Sequence, residues 1–243
     1  MNLIIDVGNS FVKLAVFKGG KLKYKERVKL EDVLVHVRAL NKKHDSIKKA
    51  IIASVGRLKS VDVKAISKLF DVLVLDSKTK LPFKNKYKTP KTLGVDRIAL
   101  VCGSINRFPH ENALIIDAGT CITYDFITSN NAYLGGAISP GLGMRYKSLN
   151  NLTANLPLLE SEVPNDIIGN STNDSIHSGV VNGILKEIDG VINTYKIKYP
   201  DLTVILTGGD AKFLSKQLKS SIFANSNFLL EGLNYILQFN TNA

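Results

Sequence analysis

Cysteine is scarce in this chain. There are two among 243 residues, Cys102 and Cys121, and both lie in apolar segments. No Cys/His spacing resembles a zinc site, and two thiols fit a reducing cytoplasm, the setting expected here. Long apolar runs are missing too. None approaches the roughly 18 residues that a membrane span needs, so no membrane association is expected. Asp6 and Asn9 interrupt the first apolar run and no basic residue precedes it, which excludes a signal peptide reading. The common phosphate loop (Gly-x-x-x-x-Gly-Lys-Ser/Thr) is absent, as are Gly-x-Gly-x-x-Gly after a first strand, His-Glu-x-x-His and Gly-x-Ser-x-Gly. The four histidines are far apart, and no serine or cysteine nucleophile with a base is visible.

Negative charge is in deficit: 32 Lys and Arg against 21 Asp and Glu give a net +11. Such a surface attracts nucleic acid, or an anionic nucleotide and an acidic substrate. The lysines are scattered, and the densest group (Lys78, Lys80, Lys84, Lys86, Lys88, Lys91) has only Tyr87 as an aromatic neighbour. That is no stacking platform for a single strand, so no nucleic-acid partner is expected. With 44% hydrophobic residues the chain suits one large or two small globular domains.

What is present is a stretch that occurs twice. Leu3-Ile4-Ile5 leads into Asp6-Val7-Gly8-Asn9-Ser10-Phe11-Val12-Lys13, and Leu114-Ile115-Ile116 leads into Asp117-Ala118-Gly119-Thr120. Each reads as a buried strand, a tight turn and a second strand. Glycine lets the backbone turn and approach a ligand, while backbone N–H groups and short polar side chains face phosphate oxygens. An aspartate before the turn repels phosphate unless a cation lies between them. One such copy is an ordinary hairpin. Two in matching frames, opening halves of similar size, suggest a nucleotide phosphate chain and its metal held between two half-domains.

Along the chain, strands are expected at 2–8, 11–18 and 20–29, a helix at 31–41, a strand at 49–54, a helix at 60–69 and a strand at 72–75. Three antiparallel strands followed by α/β units is the pattern of a ribonuclease-H-like domain. Residues 77–93 read as a lysine-rich loop ending at Gly94-Val95-Asp96-Arg97, where a helix begins. A cation in a helix's first turn is disfavoured, so Arg97 suggests an anionic ligand such as a carboxylate. Asp96 beside it could accept a hydroxyl proton. The second half repeats the pattern with strands at 113–118, 121–128 and 131–138. A glycine turn into a helix follows at 139–144, and a long helix runs to about Tyr199 with Ser171 or Thr172 as its N-cap. A strand at 204–207, the turn Thr207-Gly208-Gly209-Asp210 and a closing helix at 228–239 complete it. The expected domains are 1–111 and 112–243.

The ordered set of motifs resembles the acetate and sugar kinase, Hsp70 and actin superfamily, and more narrowly the type III pantothenate kinases. The resemblance covers nearly the whole chain. It rests on Asp6 to Lys13, Gly94 to Arg97, Asp117 to Thr120, Gly135 to Gly141, Gly169 to Thr172 and Ser175 to Gly179. It implies an α/β fold of two ribonuclease-H-like (actin-like ATPase) domains with mixed sheets flanked by helices. It also implies ATP-dependent phosphorylation of pantothenate, the first step of coenzyme A synthesis, by a homodimer. On it, Asp6, Val7, Gly8, Asn9, Ser10, Phe11, Val12, Lys13 and Thr120 would bind ATP, with Asp6 near Mg²⁺. Asp117 would hold a monovalent cation, K⁺ or NH₄⁺. Asp96 would be the general base, and Tyr87, Gly94, Val95, Asp96, Arg97 and Thr172 would meet pantothenate. Two other readings share these residues: a small-molecule kinase or phosphatase of the same superfold, and a non-enzymatic transcriptional accessory protein supported only by the basic charge.

Overall fold

A computed structural model describes residues 1–8, 11–54 and 58–241. The chain divides into two compact units, Met1–Pro109 with Asn227–Ala243, and His110–Ser226. The division at 109/110 lies beside the boundary expected near residue 111. The C-terminal helix, expected with the second half, belongs to the first unit.

In unit 1, β1 (Asn2–Val7), β2 (Val12–Lys18) and β3 (Lys21–Val28) form an antiparallel meander. β4 (Lys49–Ser54) then pairs in parallel with β1, and β5 (Asp71–Val74) with β4, giving the order β3-β2-β1-β4-β5. β1 and β4 carry unbroken apolar runs because both faces of a central strand are covered. On one face, α1 (Val33–Lys43) buries Val33, Val37 and Leu40, a single stripe at helical spacing. α2 (Ser60–Ser67) adds Ile66 to the same cluster. The expected loop at 77–93 contains a two-residue strand, β6 (Lys84–Asn85), and a 3-10 turn at Pro90–Thr92. It leads into α3 (Val95–Arg107).

α8 (Phe228–Thr241) packs along α3 and against β1 and β4. Its buried Asn234 donates to the Gly19 carbonyl (3.1 Å) and accepts from the Asn2 amide (2.9 Å), so polar bonds pin the last helix to the first hairpin. Close contact is possible only because residue 232 is glycine. A Cβ there would lie 1.9 Å from the Ala99 carbonyl oxygen.

Unit 2 repeats the plan. β7 (Ala113–Ala118), β8 (Cys121–Ile127) and β9 (Ala132–Pro140) form the meander, and β10 (Thr203–Thr207) and β11 (Phe223–Ala224) extend it in parallel from β7. The five strands of this unit follow β11-β10-β7-β8-β9, the same order as unit 1. α4 (Leu142–Asn151) and α6 (Gly183–Lys198) bury Leu142, Tyr146, Ile184, Ile188 and Ile192 against it. The helix expected from 171 to 199 is in three parts: α5 (Thr172–His177), a π segment at Ser178–Asn182, and α6. The apolar series Ile176, Val180, Ile184, Ile188 explains the wide turn. A spacing of 4 drifts about 40° per step on a 3.6-residue helix, and a π turn takes up part of the drift. A short α7 (Ala211–Ser215) follows β10.

Gly232→Ala is expected to push α8 off α3 and cost about 1–3 kcal/mol. A melting temperature lower by roughly 5 °C in calorimetry is the expected result. An unchanged melting curve would contradict the close packing of these helices.

Candidate functional site

Unit 1 gathers most of the expected site residues at the ends of β1 and α3. Asp6 is the penultimate residue of β1, opposite Lys13 on β2, and the Lys13 ammonium sits 3.3 Å from its carboxylate. The Gly8 N–H donates to the Phe11 carbonyl (3.1 Å), closing the turn. Val7 and Val12 point into the core, so only their backbone is available to a ligand. The Phe11 ring stacks under the Arg27 guanidinium at 4.1 Å. Asn9 and Ser10 lie outside the described residues.

Burial pushes the Asp6 carboxyl above its ordinary pKa. Lys13 opposes this by charge and hydrogen bonding, and the Asp96 carboxylate adds to the rise. The two acids are therefore near enough to repel one another. A cation bound beside Asp6 would relieve both the burial penalty and the repulsion. Mg²⁺ needs only one or two carboxylates when it arrives with substrate phosphates, so a single buried Asp6 fits it.

Asp96 lies in the first turn of α3, where the expectation placed it. Its carboxylate folds back to accept the Arg97 N–H (2.8 Å). A Cβ on Gly94 would fall 2.3 Å from that carboxylate oxygen, so glycine here leaves the acid its room. The Arg97 guanidinium lies over the Tyr87 ring at 5.5 Å. Tyr87, Gly94, Val95, Asp96 and Arg97 are thus brought together, with an aromatic face, a cation and a carboxylate in one place.

Unit 2 holds the second copy. Gly119 N–H donates to the Cys121 carbonyl (3.0 Å), so this hairpin is one residue tighter than the first. Asp117 sits opposite Thr123, where Asp6 sits opposite a lysine. Gly208, at φ +99°, brings β10's turn against it: a Cβ there would lie 2.5 Å from an Asp117 carboxylate oxygen and 2.2 Å from the Ala118 carbonyl. The Asp210 N–H donates to Ala118 O (2.9 Å), and burial raises the Asp210 carboxyl's pKa. Thr123 Oγ1 is buried with no hydrogen-bond partner among the described residues. A carboxylate beside an unpartnered hydroxyl and backbone carbonyls is an oxygen-rich set that fits a monovalent cation. Among the described residues no three His, Cys, Asp or Glu side chains cluster as a metal site.

Thr172 opens α5, capped by Ser171, whose hydroxyl accepts the Asp174 N–H (3.1 Å). It lines a cleft of about 920 Å³ with Arg145, Gly169, Asn170, Ser175 and Gly179. Arg145, on α4, was missed by sequence reasoning. Its partner Glu187 is 42 residues away on α6, and no motif spacing links them.

The Asp6 shift gives a signed prediction. A raised folded-state pKa means that folding is favoured by protonation, and that stability falls as pH rises from the ordinary aspartate range through the raised value. Asp6→Asn should therefore raise the melting temperature of the ligand-free protein at pH 7, with the gain vanishing near pH 3.5. A lower melting temperature at pH 7 would show that the Lys13 pair outweighs burial.

The type III pantothenate kinase family model matches residues 2–194. A type III pantothenate kinase from Christiangramia forsetii is 54% identical over 240 residues, covering 99% of both chains. One from Flavobacterium johnsoniae is 47% identical, covering 98% of both. Among solved structures, a Campylobacter jejuni protein named for the Baf family of transcriptional activators superposes with a TM-score of 0.68 at 23% identity, over 99% of this chain and all of that one. A ROK family glucokinase from Streptomyces griseus gives 0.55 at 11% identity, over 100% and 99%. These two show the fold alone, an α/β architecture of two mixed sheets flanked by helices. The family match across most of the sequence, with relatives about half identical from end to end, settles membership: the chain belongs to the type III pantothenate kinase family.

Proposed function

We propose that this protein transfers the γ-phosphoryl group of ATP to the primary hydroxyl of pantothenate, supplying the first phosphorylated intermediate of coenzyme A synthesis. The observation that carries the reading is the Asp96 carboxylate. It is pinned at the start of α3 by the Arg97 N–H, beside Asp6 and next to the Arg97–Tyr87 stack. That arrangement matches an acceptor that has a hydroxyl at one end and a carboxylate at the other.

Phosphoryl transfer passes through a loose transition state, so the protein mainly positions groups and balances charge. Asp96 orients the hydroxyl and takes its proton. Arg97 pairs with the substrate carboxylate, with Tyr87 fixing its plane. The turn from Asp6 to Lys13, with Val7, Gly8, Asn9, Ser10, Phe11 and Val12, would line the ATP phosphates, and Lys13 would add a mobile positive charge. Thr120 gives a hydroxyl to the nucleotide and Thr172 one to pantothenate. Asp6 would hold Mg²⁺ and Asp117 would hold K⁺ or NH₄⁺, and these ions, when bound, neutralise the phosphate oxygens. A homodimer accords with the apolar side chains that unit 2 exposes at Leu152, Leu158, Val163, Ile167 and Ile168. A cytoplasmic setting fits the two free cysteines, and among the described residues no helix is long and apolar enough to cross a membrane.

ADP release in a coupled assay, run in K⁺ buffer, should depend on added pantothenate. Equal release without it would point to a phosphatase. Asp96→Asn should lower kcat by about 10²–10⁴ while nucleotide binding by calorimetry persists. Near-normal turnover would remove Asp96 from the base role. Replacing K⁺ or NH₄⁺ by Na⁺ should depress activity, and equal rates would count against a cation at Asp117.

A further inference from the structure

Unit 2 contains a polar network that the reaction chemistry does not use directly. Arg145 on α4 pairs with one carboxylate oxygen of Glu187 on α6. The other oxygen accepts the buried Tyr124 hydroxyl (2.8 Å). Arg145 also donates from Nε to the Pro140 carbonyl (3.0 Å) and from its terminal nitrogen to Ser139 Oγ (3.0 Å). Its charge is already balanced by Glu187, and its Nε and one terminal nitrogen are committed to protein acceptors. That makes it a poor ligand for a further anion, although it borders the 920 Å³ cleft.

The network instead grips the corner between β9 and α4. Gly141 is the N-cap of α4 and makes no side-chain cap bond, so no capping side chain fastens this corner. The Gly141 N–H donates to the Thr120 carbonyl (3.1 Å). A Cβ on Gly141 would stand 2.2 Å from the Gly119 oxygen and 2.4 Å from that of Thr120. Corner and turn are in backbone contact with no slack, so a shift in one displaces the other.

We propose that Glu187 is a positioning residue: through Arg145 it holds the Ser139–Gly141 corner, and thereby sets the Asp117–Thr120 turn at its working geometry. The inference rests on the reading of that turn as a nucleotide and cation site. The electrostatics agree with a loaded clamp. Burial works to raise the Glu187 carboxyl, yet hydrogen bonds from Arg145, Tyr124 and Ser139 hold it below its ordinary value. Burial and the Glu187 bond push the Tyr124 hydroxyl well above its own. The carboxylate is therefore the working form, and Tyr124 remains a donor to it.

The test uses the full-length protein and three variants. Glu187→Ala should raise KM for ATP about tenfold, the scale of an outer-shell loss, and should raise the K⁺ or NH₄⁺ concentration for half-maximal activity. KM for pantothenate should stay within about twofold, because that loss is confined to the groups the outer shell orients. Glu187→Gln keeps hydrogen-bonding capacity on both sides and should recover most of the affinity. Hydrogen exchange at the Gly119 and Gly141 amides should quicken in Glu187→Ala and return towards wild type in Glu187→Gln. Unchanged exchange at those amides overturns the positioning role. So does a lowered melting temperature with every KM unchanged, which is the outcome for a merely structural ion pair. Asp117→Asn separates the two readings. If it alters ATP and cation dependence while Glu187→Ala does not, only the positioning inference falls. If it alters neither, the assignment of the turn falls, and the inference with it.

Discussion

The rest of this structure depends on placing a carboxylate out of water at the end of a central strand. An apolar run such as Leu3-Ile4-Ile5 buries itself readily and contributes on the order of 1.5–3 kcal/mol per side chain. The next residue, Asp6, does not. Its burial raises the carboxyl's pKa, and the Lys13 ammonium at 3.3 Å offsets only part of the cost. A fold built for stability alone would put a valine there. Keeping an acid at this point, with Asp96 adding repulsion, makes sense if a cation completes the charge balance in the working state.

The two units share one topology but treat that acid differently. Strand order, the antiparallel meander and the parallel additions are the same in both. The cross-strand neighbour is Lys13 in one unit and Thr123 in the other. In the first, the protein itself provides a mobile cation beside its acid, suited to a phosphate chain that comes and goes. In the second, Gly208 removes a side chain that would strike the Asp117 carboxylate, leaving oxygen atoms around it. On the proposed reading, duplicated geometry with divergent charge would let one architecture serve two kinds of ion.

Much of this was legible in the sequence because the governing interactions are local. The meander strands follow from apolar runs broken by Gly8, Gly19-Gly20 and Asn130-Asn131. The start of α3 at Val95 follows from the Leu93-Gly94 break, and Ser171 as a cap from its place before the helix. What was illegible is nonlocal. Helix α8 is apolar enough to join either half; it packs within unit 1 because Asn234 finds partners 215 and 232 residues away. The π segment is written in a spacing of four that is easily read as ordinary helix. β11 is two residues long, too short for any periodicity. Arg145 and Glu187 each look like a solvated charge on an amphipathic helix, and only the packing of α4 beside α6 makes them a pair.

The glycine-rich corners then explain how a loose-transition-state enzyme gains precision from a soft medium. Side chains adjust by rotating, and a site built on them tolerates small shifts. Here the contacts that fix the second turn are backbone to backbone: Gly141 N–H to Thr120 O, Asp210 N–H to Ala118 O, and Gly208 against the Ala118 carbonyl. None has a rotamer to relax into. Rigidity at the turn is therefore inherited from whatever holds those backbones. On the β10 side that is the parallel pairing with β7, whose register sets Thr207 opposite Asp117. On the β9 side the strand ends at Pro140, which cannot donate a ladder bond, and the corner leaves the sheet. A corner released in this way needs an external brace, and the half-buried Arg145–Glu187 pair is directional enough to act as one where an apolar contact would slide.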